Sequence, residues 1–116
     1  MANEINLSIN FNVQNGAFRD AISFSGAVNQ SAQGVQSGTV AVPTGGSNVP
    51  ITLTTPGYCY VQNLDNTNFV SYGTTAVMFA KIKAGEAALF RLLPGGSLRF
   101  QADTATASVY YKIYAD

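Results

Sequence analysis

The stretch Glu4-Ile5-Asn6-Leu7-Ser8-Ile9-Asn10-Phe11-Asn12-Val13 decides the fold class. Apolar and polar residues alternate through it without a break. Ile5, Leu7, Ile9, Phe11 and Val13 point one way, and Glu4, Asn6, Ser8, Asn10 and Asn12 the other. A helix repeats every ~3.6 residues, whereas side chains alternate strictly along a strand, so this pattern is that of a half-buried strand. Asn15-Gly16 then supplies the positive φ of a tight hairpin turn. A return strand over Phe18–Val28 brings Phe18, Ile22, Phe24 and Val28 to the inward face, and Gly26 within it marks a bulge or bend.

Outward from this hairpin the chain continues as short strands punctuated by turns. Residues 29–38 are Gln, Ser, Gly and Ala around an isolated Val35, which reads as a loop or mobile edge. A strand over 39–42 stops at Pro43-Thr44-Gly45-Gly46-Ser47. The next, over 49–53, contains Pro50 and so suits only an edge. Further strands are expected over 58–64, 69–72, 77–82, 87–93, 97–102 and 108–114. Between them lie Pro56-Gly57, Asp65-Asn66-Thr67-Asn68, Tyr72-Gly73, Lys83-Ala84-Gly85, Pro94-Gly95-Gly96 and Asp103-Thr104. The Ala- and Leu-rich stretch 85–93 is the one competitor for a helix, but it is short, uncapped and bracketed by turns. About nine to ten short strands at this spacing make an all-β protein, an antiparallel β-sandwich or closed barrel. At 116 residues, residues 1–116 are expected to form a single domain.

Composition narrows the function. Charged residues make up 10% of the chain, against roughly 25% in an average soluble domain, and six Lys and Arg balance six Asp and Glu. Zero net charge removes the electrostatic term that dominates nucleic-acid binding and argues equally against an anionic membrane surface. It also leaves little repulsion between copies. The start Met1-Ala2-Asn3-Glu4 has neither a basic region nor an apolar run, and Cys59 is the single cysteine. The expectation is a protein made and kept in a reducing cytoplasm.

Catalytic chemistry finds little to stand on. The chain has no His, which removes Ser-His-Asp and Cys-His arrangements and most transition-metal sites. Cys59 sits in an apolar strand without a base beside it and reads as a core residue. Asp20, Asp65, Glu86 and Asp103 are the carboxylates from which a glycosidase pair would have to come, but no cleft-forming insertion accompanies them. Asp65-Asn66-Thr67-Asn68 offers several oxygens without the alternating spacing of a Ca²⁺ loop, so a hairpin turn is the better reading. Arg91, Arg99, Lys81 and Lys83 form no run and read as solvated strand positions. No enzyme activity, cofactor or metal is expected.

The later strands are apolar on both faces: Tyr58 and Tyr60 against Cys59 and Val61, Val77 and Phe79 against Met78 and Ile82, Val109, Tyr111 and Ile113 against Tyr110 and Tyr114. With no helix to cover a second face, that face needs another sheet or another subunit. Tyrosine suits a subunit contact, because its ring is apolar while its hydroxyl tolerates a wet rim. Tyr58, Tyr60, Tyr72, Tyr110 and Tyr114 are therefore the expected oligomer interface. The stretch 30–38 and the residues before Ile5 are candidates to order only on docking.

The string Gly57-Tyr58-Cys59-Tyr60-Val61-Gln62-Asn63-Leu64-Asp65-Asn66-Thr67-Asn68-Phe69-Val70 resembles a pattern in small virion proteins of tailed bacteriophages. There it precedes an "L-x-A-G-E" turn, a proline turn and a closing aromatic strand. Here these read Ile82-Lys83-Ala84-Gly85-Glu86, Leu92-Leu93-Pro94-Gly95-Gly96 and Tyr110-Tyr111-Lys112-Ile113-Tyr114. The resemblance covers about residues 57–116. It implies a jelly-roll-like sandwich serving as a capsid decoration or cement protein, or a minor neck, tail or fibre component. Such proteins are usually homo-oligomers, often trimers, docked on a larger virion protein such as the major capsid protein. A lectin-like module that recognises a host glycan through exposed Tyr and Asn shares the same fold and is the alternative.

Overall fold

The computed structural model describes residues 4–93 and 95–116. It is all-β: ten strands, every pairing antiparallel, and no helix among the described residues. Two compact units divide the chain, Met1–Ser31 and Ala32–Asp116. The first holds β1 (Ile5–Asn15) and β2 (Phe18–Val28), paired with each other alone. Their register runs unbroken from Ile5 opposite Val28 to Asn15 opposite Phe18, closed by Gly16 at φ 60°. The bulge expected at Gly26 is therefore absent from this ladder. Gly26 instead makes room for the ring of Phe24, which lies where a Cβ would meet it at 3.0 Å.

The second unit is the sandwich. Its strands are β3 (Val35–Val42), β4 (Ser47–Val49), β5 (Pro56–Asn63), β6 (Val70–Gly73), β7 (Met78–Ile82), β8 (Ala87–Arg91), β9 (Leu98–Ala102) and β10 (Ala107–Ala115). One sheet has the order β3-β10-β5-β8 and the other β4-β9-β6-β7. The pairs β3 with β10, β4 with β9, β5 with β8 and β6 with β7 are nested, as in one long hairpin rolled upon itself. That is the jelly-roll arrangement. The sandwich accordingly draws its two sheets from Ala32–Asp116, not from the whole of residues 1–116, because β1 and β2 join neither sheet.

Period-two alternation builds the core. Along β5, Cys59, Val61 and Asn63 are buried while Tyr58, Tyr60 and Gln62 face out. Val109 and Ile113 of β10 join them from the same sheet, and Leu98, Phe100, Val70 and Ile82 close the layer from the other. Fully burying a side chain of this size contributes about 1.5–3 kcal/mol, so this interface between the sheets dominates the stability of the sandwich.

Two expectations from sequence need correction here. Residues 35–38 are not a loop but the first half of β3, with Gln36 opposite Ile113 and Gly38 opposite Tyr111 on β10. Their inward positions are Gln36 and Gly38, so hydrophobic periodicity could not reveal the strand. Gly38 is required beneath the Tyr111 hydroxyl, which a Cβ there would approach to 3.0 Å. The stretch 30–38 is thus not as a whole a segment awaiting a partner, while Met1–Asn3, also proposed to order on docking, lies outside the described residues. The strand expected over 49–53 ends at Val49. Beyond it the Gln36 side chain takes the place of a ladder, accepting from the Thr52 amide at 2.9 Å and donating to the Pro50 carbonyl.

Candidate functional site

Four of the five tyrosines expected at an interface come together. Tyr58 and Tyr60 on β5 and Tyr110 and Tyr114 on β10 alternate with buried residues, so all four stand on the outward face of the β3-β10-β5-β8 sheet. Tyr60 and Tyr110 meet edge-to-face with ring centroids 6.3 Å apart, and the Tyr60 hydroxyl donates to Gln62 Oε1 at 3.1 Å. Cations rest on the other two rings: the Arg91 guanidinium lies 4.4 Å from the Tyr58 centroid, and Lys112 Nζ 5.6 Å from that of Tyr114. Arg91 is held in place by a 2.6 Å ion pair with Asp116. The result is an aromatic platform with a polar rim, and each exposed cation–π contact is worth about 0.5–1 kcal/mol.

Tyr72 is elsewhere. It stacks on Phe90, centroids 5.2 Å apart and planes 15° from parallel, and meets Phe79 edge-on at 5.9 Å. Burial raises its hydroxyl pKa above the ordinary value of 10.0. Tyr72 therefore joins β6 of one sheet to β8 of the other, beside a cleft of about 180 Å³ whose rim carries the exposed Leu93.

A further uncovered apolar surface lies where alternation suggested a half-buried one. On the N-terminal hairpin the register places Ile9 opposite Phe24 and Phe11 opposite Ile22 on a single face. These four and Phe18 are between 46% and 67% exposed. Alternation located the face correctly, and Ile5, Leu7, Val13 and Val28 on it are half-buried, but Ile9, Phe11, Phe18, Ile22 and Phe24 are exposed, and among the described residues no strand beyond β2 pairs with the hairpin. The signal for this was the polar segment 29–34, which offers no third strand of matching pattern.

The remaining polar candidates serve the fold. Asp65 Oδ2 accepts from the amides of Thr67 (3.0 Å) and Asn68 (2.6 Å), which hold its carboxyl below the ordinary value of 3.8. Asp65-Asn66-Thr67-Asn68 is a turn, as expected, though it carries the chain from one sheet to the other and does not close a hairpin between paired strands. Glu86 Oε1 accepts from the Lys83 amide at 2.7 Å, and Gly85 takes φ 77°, so Lys83-Ala84-Gly85-Glu86 is likewise a capped turn between sheets. Arg99 is more than a solvated strand residue: it donates to the Gly45 carbonyl (2.6 Å) and to Asn48 Oδ1 (3.2 Å), which leaves no space for a side chain at Gly46. Cys59 is fully buried, and burial pushes its thiol up to about 12. In the turn expected at Pro94-Gly95-Gly96, Gly95 has φ 76° and Pro94 lies outside the described residues. Among the described residues no three acidic or sulfur ligands gather as a metal site would require. Compared with protein-family models, with curated proteins and with solved structures, the chain matches none.

Proposed function

We propose that this chain is a non-enzymatic structural protein of a tailed-phage virion, a capsid decoration or cement protein that oligomerises and docks on a larger shell protein. The observation that carries the reading is the N-terminal hairpin, whose large apolar side chains face solvent in the single chain. An exposed apolar face of this size marks a contact surface. The tyrosine platform supplies a second contact of the wetter kind, with Tyr58, Tyr60, Tyr110 and Tyr114 meeting a neighbouring subunit. Zero net charge favours such association and gives neither a nucleic acid nor a membrane anything to attract it. Repetition around a symmetric particle turns modest contacts into durable ones. The protein is made in the host cytoplasm and resides in the virion. Mass spectrometry of purified particles, followed by imaging of the intact particle, tests this. The expected result is the chain at stoichiometric, symmetry-related positions, and particles that lack it contradict the reading.

A second reading, recognition of a host glycan, is favoured by the same tyrosine platform, since Gln62 and Lys112 stand beside its aromatic faces as hydrogen-bonding groups. Saturable binding of host polysaccharide, lost in Tyr60→Ala, distinguishes it from a protein contact.

A further inference from the structure

We infer that the N-terminal hairpin is a homotypic clasp, its apolar face closing against the same face of the hairpin of a second copy. This deepens the assembly reading above and rests on it.

The register divides the hairpin into two unlike faces. Asn6, Ser8, Asn10 and Asn12 share one side with Ser23 and Ser25, while Leu7, Ile9, Phe11, Ile22 and Phe24 share the other. A two-stranded ribbon alone is marginally stable in water and needs a further layer over its apolar side. Here no residue of β1 or β2 reaches full burial. The layer has yet to be supplied.

The chemistry of the face specifies what supplies it. Its one charged residue is Asp20, opposite Val13 near the tip; Arg19 pairs with Gln14 on the polar side. An acidic, basic or strongly polar partner would therefore bury unpaired groups against five large hydrocarbon side chains. A second copy of the same ribbon presents the same hydrocarbon side chains, with its one charge near the tip, and has the same twist, as two sheets packed face to face require. The face is also smooth, because the Phe24 ring folds down over Gly26. When two copies cross in opposite directions, their Asp20 carboxylates lie at opposite ends, each at the wet margin.

The area is sufficient. Ile9, Phe11, Phe18, Ile22 and Phe24, between 46% and 67% exposed on this face, present on the order of 500 Å². Two such faces together bury roughly 1,000 Å², the scale at which a specific interface becomes stable.

The test uses the full-length chain. Ile22→Asn with Phe24→Asn should lower the mass measured by sedimentation equilibrium at ~100 µM to a smaller species, while near-ultraviolet circular dichroism of the sandwich stays unchanged. In a Cys59→Ala background, Ile9→Cys should cross-link between copies with a short bismaleimide, and Asn10→Cys, one residue away on the polar face, should not. The clasp is overturned if the double variant keeps the wild-type mass, or if Asn10→Cys links as readily as Ile9→Cys. An oligomer that survives the double variant overturns the clasp alone. A wild-type monomer at that concentration overturns the assembly reading as well.

Discussion

The side-chain amide of Asn63, at the end of β5, donates at 3.2 Å to the carbonyl of Ile82, at the end of β7 in the opposite sheet. The same amide donates to the Asn68 carbonyl at 2.9 Å, and its oxygen accepts from the Asp65 amide at 3.0 Å. Asn63 is fully buried, and every hydrogen bond ties one sheet or turn to another. Asn63→Leu keeps the branched shape but leaves the buried Ile82 carbonyl and the part-buried Asn68 carbonyl and Asp65 amide without this partner. It should cost about 2–4 kcal/mol in denaturant unfolding. Ile22→Ala on the exposed hairpin should change the unfolding of the sandwich by less than about 0.5 kcal/mol.

Gly73 is the second fixed point. A Cβ there would run into the Val77 carbonyl and come within 2.9 Å of Met78 Cα, all backbone of the adjoining β7 and its turn. Gly73→Ala should destabilise by about 2 kcal/mol or more, whereas Gly45→Ala, with open space around the added methyl, should be nearly neutral. Thermal unfolding of the two variants side by side checks this.

Asp65 makes the sandwich acid-sensitive. Its carboxyl is held below the ordinary value of 3.8 by the amides of Asn68 and Thr67. A group whose folded pKa is depressed contributes stability above its unfolded value and loses it as pH falls through the folded one. Wild-type stability should therefore fall as pH drops below about 4, and Asp65→Asn should be less stable at neutral pH with a shallower acid limb. A series of urea midpoints against pH reads both.

Cys59 should be silent to thiol reagents in the native state. Its thiol, raised by burial from an ordinary value of 9.0 to about 12, is protonated and inaccessible. Labelling at pH 8 should track global unfolding and be complete within minutes in denaturant. Rapid labelling of the native chain would show that β5 opens locally. By the same linkage, the stability that Cys59 contributes is intact below pH 9 and declines as pH rises toward 12.

Much of this was legible along the chain, and the limits have physical causes. The strand Ile5–Asn15 and its partner could be read because alternation and the Gly16 turn are local. Cys59 as a core residue and Asp65 as a turn cap followed from their immediate neighbours. What could not be read was set by distant partners. Residues 35–38 extend the strand expected over 39–42 only because β10, far along the chain, pairs with them, and Gly38 is small for the sake of Tyr111. Tyr72 looked like its four companions, yet a strand in the second sheet turns it toward Phe90. The hairpin read as half-buried because alternation reports which face is apolar and says nothing of how fully anything covers it.

The tyrosine platform should behave as a contact surface and not as core. Tyr60→Ala with Tyr110→Ala should leave unfolding within about 1 kcal/mol of wild type and weaken subunit association by about tenfold or more. Concentration-dependent sedimentation gives the second quantity, and an unchanged dissociation midpoint would remove these tyrosines from the interface.

The most direct measurement is the molar mass of the purified full-length chain across the micromolar range by sedimentation equilibrium. A protein whose apolar hairpin face is completed by other copies should run as a defined oligomer that dissociates only on dilution. A chain that stays monomeric at the highest concentrations, with that face open to water, contradicts the central claim.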